Sequence, residues 1–493
     1  MVEINEFLKL TRKYNVVPVC KEILADLETP LSAYLKIDNP EYSFLLESIE
    51  GGEKIARYSF LSREPYEIFY YKEGIAYVVK QGKEKKIKTD NPFEELRKIF
   101  KKYNSAPLKG MPEFTGGAVG YIGYDVVKRY EKIPEIPKDD NLNWPDMFFM
   151  FVNILMVFDH ITHKIIIINN VFIEKNDTKE RLIKKYEKAS RELDRIIKSL
   201  KKPLVLKSKK KIKTKFKIKC FTKKEEFKKN VAKLVKLIHN GEMIQTVLSQ
   251  RFLVKYSGNP IDIYRSLRSI NPSPYMHFLR MGEKIIIGAS PELMVKVEDR
   301  QVILRPIAGT RKRGKNEYED KKLEEELLND EKEKAEHIML VDLGRNDIGR
   351  VAEYGSVKVN ELMKIERYSH VMHIVSEVKG KLRKDKDIFD VIKATFPAGT
   401  VTGAPKVRSM QLIEYMENIK RGPYAGAVGI ISFSGNLETC ISIRSIYMDK
   451  DKAYIQSGAG IVADSKPDKE YRETQNKARA MILAIKNAYD MEY

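Results

Sequence analysis

GAVGIISFSGNLETCISIRSIYMDKDKAYIQSGAGIVADS, residues 426–465, alternates apolar and polar residues between two turn signals, SGN at 434–436 and DKDK at 449–452. A period of two broken by tight turns is the signature of antiparallel strands. The stretch predicts a three-strand meander with Tyr424 before the first strand, Arg444 on the second, and Gly458 to Gly460 after the third. The preceding segments read the same way. GEMIQTVLSQRFLVKY (241–256) gives a strand carrying Gln245, and NPSPYMHFLR (271–280), EKIIIGASPELMVKVED (283–299) and QVILRPIAGTRKRG (301–314) give further strands and turns. Helical periodicity appears at 223–240, which ends at Gly241, across 317–343 with a break at Asn329-Asp330, and near the C-terminus.

TFPAGTVTGAPK, residues 395–406, interrupts this pattern as a cradle. Phe396 and Pro397 end the preceding element, Ala398 and Gly399 allow close backbone approach, and Thr400 and Thr402 offer hydroxyls. Gly403, Ala404 and Pro405 open a helix whose N-terminal N–H groups would favour a carboxylate or phosphate.

Charged residues make up 32% and hydrophobic ones 43% of the 493 residues, a globular composition with room for more than one unit. The net charge of +21 rests largely on Lys runs such as 201–219, which lack the interleaved Arg and aromatic residues of a base-stacking surface. No nucleic-acid partner is expected. A Lys- and Glu-rich surface also marks heat-adapted proteins. Cys20, Cys220 and Cys440 form neither a disulfide framework nor a CxxC site, which points to a reduced, cytoplasmic setting. MVEINEFLKLTRKYN is charged and amphipathic, unlike a signal peptide, and the apolar run at 147–158 is too short to span a membrane.

The chain divides into an amino-terminal region, 1–200, and a region of denser motifs, 222–490, joined by the Lys-rich stretch, which reads as a linker ending in an edge strand. In FTGGAVGYIGYD (114–125) the glycines are three apart and do not fit a dinucleotide fingerprint, so close backbone packing is expected. GTRKRGK (309–315) matches most of a phosphate loop, but Asn316 stands where Ser or Thr is needed. That reading is rejected.

Glu333 and Glu336 lie three apart on one predicted helix, and Glu470, Glu473 and Lys477 repeat the device on the last. Two helices, each with a Glu-x-x-Glu pair beside its buried face, suit one hard cation, and oxygen-only ligation favours Mg²⁺. His370 and His373, on a strand, face opposite ways, so at most one enters a given site. Arg444 suits a carboxylate, and the Ser-Gly-Ala-Gly backbone at 457–460 can donate to another oxygen. A small dicarboxylate substrate follows.

Six blocks, GASPE, PIAGTRKRG, EKAEHIMLVDLGRND, FPAGTVTGAPK, ETCISIRS and DKEYRETQNKA, together resemble the chorismate-utilising enzymes, and most of all the anthranilate synthase component I group. The resemblance implies an α/β fold of α+β type, two facing antiparallel sheets with helices outside, built from both halves of the chain. It implies Glu336 and Glu473 as Mg²⁺ ligands, with Glu333 and Glu470 acting through water. Tyr424, Arg444, Gly458, Ala459, Gly460 and Lys477 would seat the enolpyruvyl carboxylate of chorismate, with Gly309 and Thr310 also at the substrate. Glu292 would be the general acid for the departing 4-hydroxyl, while Thr400 and His373 line the ring. Relatives that add water carry Lys where this chain has Gln245, and aminodeoxychorismate enzymes read PIKGT where this chain has Ala308. The implied product is anthranilate, with aminodeoxychorismate synthase component I as the alternative. The chain has no glutaminase Cys signature, so a separate glutamine amidotransferase subunit is implied, in a heterotetramer of two large and two small subunits. L-Tryptophan is implied as an inhibitor, held by Ser48 of LLES and by Pro274, Tyr275 and Met276 of NPSPYM.

Overall fold

Strand Tyr42–Glu47 pairs antiparallel with strand Tyr275–Met281, placing Glu47 opposite Met276, and strand Gly117–Ile122 pairs with Ala427–Ser432 in the same manner. These two seams join early and late parts of the chain into two antiparallel sheets of twelve strands each. The regions 1–200 and 222–490 thus share both sheets, and one continuous apolar core runs through both. The computed structural model describes residues 2–37, 41–49, 57–204, 216–368 and 371–491. Residues 50–56, most of the Lys-rich stretch and His370 therefore lie outside the described residues.

Helices cover the sheets. Pro467–Asp490 packs on strand Lys452–Ile461, Glu331–Gly349 on strands Ile307–Lys312 and Val371–Lys381, and Lys179–Leu200 on Lys164–Phe172. The expected break at 329–330 is present: Glu317–Asn329 ends there and Asp330 caps the next helix, accepting from the N–H groups of Lys332 and Glu333. This cap satisfies two otherwise unpaired donors and fixes where Glu333 and Glu336 project. Ile218–Cys220 is the edge strand expected after the Lys-rich stretch. Among the described residues no helix is long and apolar enough to cross a membrane. The run at 147–158 instead breaks at Asn153 into Met147–Val152 in one sheet and Ile154–Asp159 in the other.

The 426–465 stretch departs from the expected meander. It folds into four strands divided between the sheets: Ala427–Ser432 and Leu437–Ile441 in one, Ser445–Asp449 and Lys452–Ile461 in the other. Alternation reports only that one face is buried, and both sheets bury a face, so the pattern is the same on either side of the crossing. Arg444 accordingly sits in the crossing itself at φ 52°, a left-handed conformation outside the strand region. Gly458 to Gly460 lie inside the last strand, not after it. The GASPE stretch makes a second crossing beside the first. Lys284–Ser290 belongs to one sheet and Leu293–Glu298 to the other, with Pro291, which has no N–H for a ladder, and Glu292 between them.

Close packing between glycine-bearing strands holds as expected. A Cβ on Gly120 would lie 1.9 Å from the Phe148 carbonyl oxygen, so only glycine lets these strands meet.

Candidate active site

The two crossings open onto a cavity of about 600 Å³. One wall comes from helix Glu331–Gly349, with Glu333 and Glu336, and from helix Pro467–Asp490, with Glu470, Glu473 and Lys477. The others carry Gln245, Glu292, Gly309, Thr310, His373, Thr400, Tyr424, Arg444, Gly458 and Gly460. All expected catalytic, substrate-binding and metal residues except Ala459 line this one space. Ala459 follows the strand alternation to the opposite face and packs with Phe227, Val231 and Leu412.

Glu292 is 9% exposed, and its Oε1 accepts from the Thr400 hydroxyl at 2.9 Å. Burial pushes its carboxyl up to about 8, against the opposing pull of the Thr400 bond, Arg444 and Lys477. At neutral pH this group holds a proton it can give away. His373 Nδ1 donates to the Gly309 carbonyl at 3.0 Å, with the Thr310 hydroxyl at the same distance, and burial lowers its pKa. The ring is neutral, and with Nδ1 carrying the hydrogen its Nε2 is left as a base.

Gln245 opens strand Gln245–Lys255. Its Nε2 donates to Glu336 Oε1 at 3.1 Å, while its Oε1 is buried without a partner among the described residues. A Cβ on Gly458 would lie 2.8 Å from the Tyr424 hydroxyl, so this glycine leaves room for the phenol beside the bare backbone. Lys477 Nζ donates to the Gly458 carbonyl at 3.1 Å and pairs with Glu473 Oε1 at 2.5 Å. Tyr424 is 3% exposed, and burial pushes its hydroxyl up to about 12, so it remains a donor.

Within each helix the two paired carboxylates repel each other. Glu333 is raised by burial and then by Glu336, and Glu470 is raised chiefly by burial, with Glu473 adding to it. Among the described residues no three ligating side chains have closed on one point. Glu336 is turned to Gln245 and Glu473 to Lys477, so the four present a charged wall more than a finished cage. Four carboxylates gathered on one wall, all oxygen donors, fit a hard divalent cation.

The 395–406 stretch contributes less than its pattern suggested. Thr400 and Val401 reach the cavity, but none of residues 402–406 lines it. The Thr402 hydroxyl donates to the Ala398 carbonyl at 2.9 Å, and Lys406 pairs with the buried Asp347 at 2.5 Å. The helix Lys406–Met416 therefore serves the scaffold. Lys332, Lys466 and Lys469, which also line the cavity, were not singled out from sequence. Lys466 and Lys469 share the helical face of Glu470, Glu473 and Lys477, which was the available signal.

A second cavity, of about 640 Å³, brings together Ser48, Pro274, Tyr275 and Met276. Phe60 and Phe114 meet edge to face at 5.6 Å in its wall, and the Ser48 hydroxyl is buried without a partner among the described residues. Tyr275 is registered opposite Ser290, two residues before Glu292, so a pair of adjacent strands leads from this cavity toward the first.

The sequence matches the chorismate binding enzyme family over residues 44–483. This chain belongs to the chorismate-binding enzymes. It is 47% identical over 489 residues to anthranilate synthase component 1 of Acetivibrio thermocellus, covering 98% of each chain. It is 47% identical over 496 residues to the same component of Aquifex aeolicus, covering 100% of this chain and 99% of that one. In structure it resembles anthranilate synthase component I from Streptococcus pneumoniae, with TM-score 0.77 and 39% identity over 93% of this chain and 99% of the other. The menaquinone-specific isochorismate synthase of Escherichia coli shares the fold at 17% identity and TM-score 0.69, covering 98% of each chain. The cavity with Glu292, the carboxylate wall and Arg444 lies within the residues matched to the chorismate-binding enzymes.

Proposed function

We propose that the chain converts chorismate and ammonia to anthranilate, pyruvate and water, as the large component of an anthranilate synthase. The observation that carries the reading is Glu292: a buried carboxyl pushed up to about 8, in the same cavity as Arg444, Tyr424 and four carboxylates. Hydroxide is a poor leaving group, so the reaction needs an acid that is protonated at working pH and placed at the departing 4-hydroxyl. Glu292 has the raised proton affinity, and its place in the cavity wall suits the second need. The Thr400 hydroxyl fixes which way the carboxyl points.

Arg444 and the Tyr424 hydroxyl supply a cation and a donor for the enolpyruvyl carboxylate, with Lys477 adding charge. The ring carboxylate falls to the other wall. Glu333, Glu336, Glu470 and Glu473 are the residues that would hold Mg²⁺, which when bound would neutralise that carboxylate and draw electron density toward it. His373, neutral with Nε2 free of hydrogen, suits the proton removal that accompanies pyruvate loss.

Gln245 supports ammonia over water as nucleophile, because an amide cannot deprotonate water whereas ammonia needs no base. Ala308 at the cavity supports addition at C2 over amination at the far ring carbon. Ammonia would come from a glutamine amidotransferase partner, since the chain carries no glutaminase elbow. The second cavity suits L-tryptophan: Ser48 offers a buried hydroxyl to an amino-acid head group, and Pro274, Tyr275, Met276, Phe60 and Phe114 offer an apolar wall to an indole. Product analysis of chorismate treated with the purified chain, ammonium and Mg²⁺ decides the matter. A 2-aminobenzoate supports the reading, and a 4-amino-substituted ring makes the enzyme an aminodeoxychorismate synthase component instead.

A further inference from the structure

Arg421 is 2% exposed, lines no part of the cavity, and yet touches three residues that line it, Val247, Val401 and Tyr424. Its Nε donates to Glu417 Oε2 and its Nη2 to Glu417 Oε1, both at 2.8 Å, at the end of helix Lys406–Met416. Its Nη1 donates to the Val401 carbonyl and its Nη2 to the Val247 carbonyl, again at 2.8 Å. The guanidinium lies 4.5 Å from the Tyr124 ring centre and 5.6 Å from that of Tyr424. Val401 and Val247 both line the cavity, and Val401 follows Thr400 directly.

We propose that Arg421 is a positioning residue for the reaction: its fork pins the Val401 carbonyl and so holds the Thr400 hydroxyl against the Glu292 carboxyl, while its face holds Tyr424 in the same register. This rests on the reading of Glu292 as the general acid. Four of the five guanidinium donors are used, in a planar arrangement that an ammonium cannot copy. Glu417 is held in turn, its Oε1 accepting from the Ser249 N–H at 2.7 Å and the Ser249 hydroxyl at 2.8 Å. The hub is thereby tied to strand Gln245–Lys255, which also presents Gln245.

A buried Arg that served stability alone would leave the proton affinity of Glu292 untouched in any variant that folds. Positioning has a different signature. The Thr400 hydroxyl bond favours the charged carboxylate, so losing it raises the pKa of Glu292 and moves the alkaline limb of kcat to higher pH. The test compares pH profiles of ammonium-dependent turnover for the parent, Thr400→Val, Arg421→Lys and the double variant, with folding checked by circular dichroism. The expected result is an alkaline shift of roughly half a unit or more in each single variant and no further shift in the double. A folded Arg421→Lys enzyme with the parent limb, or a double variant whose shifts add, overturns the proposal while leaving the acid assignment intact. Identical limbs for parent and Thr400→Val overturn both. Should Arg421→Lys not fold, Arg421→Met with Glu417→Met removes the buried pair together, and the same comparison with Thr400→Val decides.

Discussion

Glu292 and Arg444 occupy the two neighbouring points at which strands leave one sheet for the other, and the main chain locks these points together. The Ile441 N–H donates to the Glu292 carbonyl at 3.0 Å, and the Ala289 N–H donates to the Arg444 carbonyl at 3.1 Å. The Glu292 carboxyl and the Arg444 guanidinium therefore both project from main chain that is hydrogen-bonded in place. One consequence is a pH dependence. Turnover requires protonated Glu292 and should fall as pH rises through about 8. Stability should fall as well: between an unfolded value of about 4.3 and the folded one, the native state binds this proton more tightly, so stability drops with rising pH across that window. Glu292→Gln should cut turnover on the order of 10²- to 10⁴-fold and flatten that part of the profile, measured by steady-state rates and by thermal melts from pH 5 to 9.

The carboxylate wall makes a second prediction. Glu336→Gln and Glu473→Gln keep size and remove one charge each from a place where a divalent cation needs it. Activity should fall by orders of magnitude, with a Mg²⁺ requirement shifted to higher concentration and the thermal melt preserved. Near-parental rates at low Mg²⁺ would take these residues out of the metal site.

Ser48→Phe fills part of the second cavity and removes its hydroxyl. Inhibition by millimolar tryptophan should disappear while the uninhibited rate stays close to parental, read from initial rates with and without the amino acid. The route for coupling is short, because Tyr275 in that cavity pairs with Ser290 beside the acid. A coupling of about 1–3 kcal/mol would be typical.

Gly120→Ala tests the fold. The added methyl would meet the Phe148 carbonyl at 1.9 Å, so the paired strands must part or the chain must not fold. A destabilisation above about 4 kcal/mol is expected, measured by denaturant unfolding. A variant within about 1 kcal/mol of the parent would mean that these strands are not in close contact.

Residue spacing carried much of the site. The Glu333/Glu336 and Glu470/Glu473 pairs sit on long helices whose period places them together, and both helices were legible with their break at Asn329-Asp330. Residues of the PIAGT, GASPE and FPAGTVTGAPK motifs line the same cavity. What stayed hidden depends on long-range contact. Alternation in 426–465 could not say that Ser442 to Arg444 pass between sheets, because an inward-facing residue looks the same in either one. The Thr402 hydroxyl and the helix after Pro405 looked available, and local backbone and the Asp347–Lys406 pair claim them. Arg421 was invisible because its partners, Val247, Val401 and Glu417, fall in three separate segments.

The most direct measurement is the fluorescence of anthranilate formed by the purified chain from chorismate and ammonium, with and without Mg²⁺, for the parent and for Glu292→Gln. The account predicts a signal that needs Mg²⁺, is lost in Glu292→Gln and declines above about pH 8 in the parent. Chorismate left unchanged by the folded parent under these conditions, or turned over equally by Glu292→Gln, would contradict it.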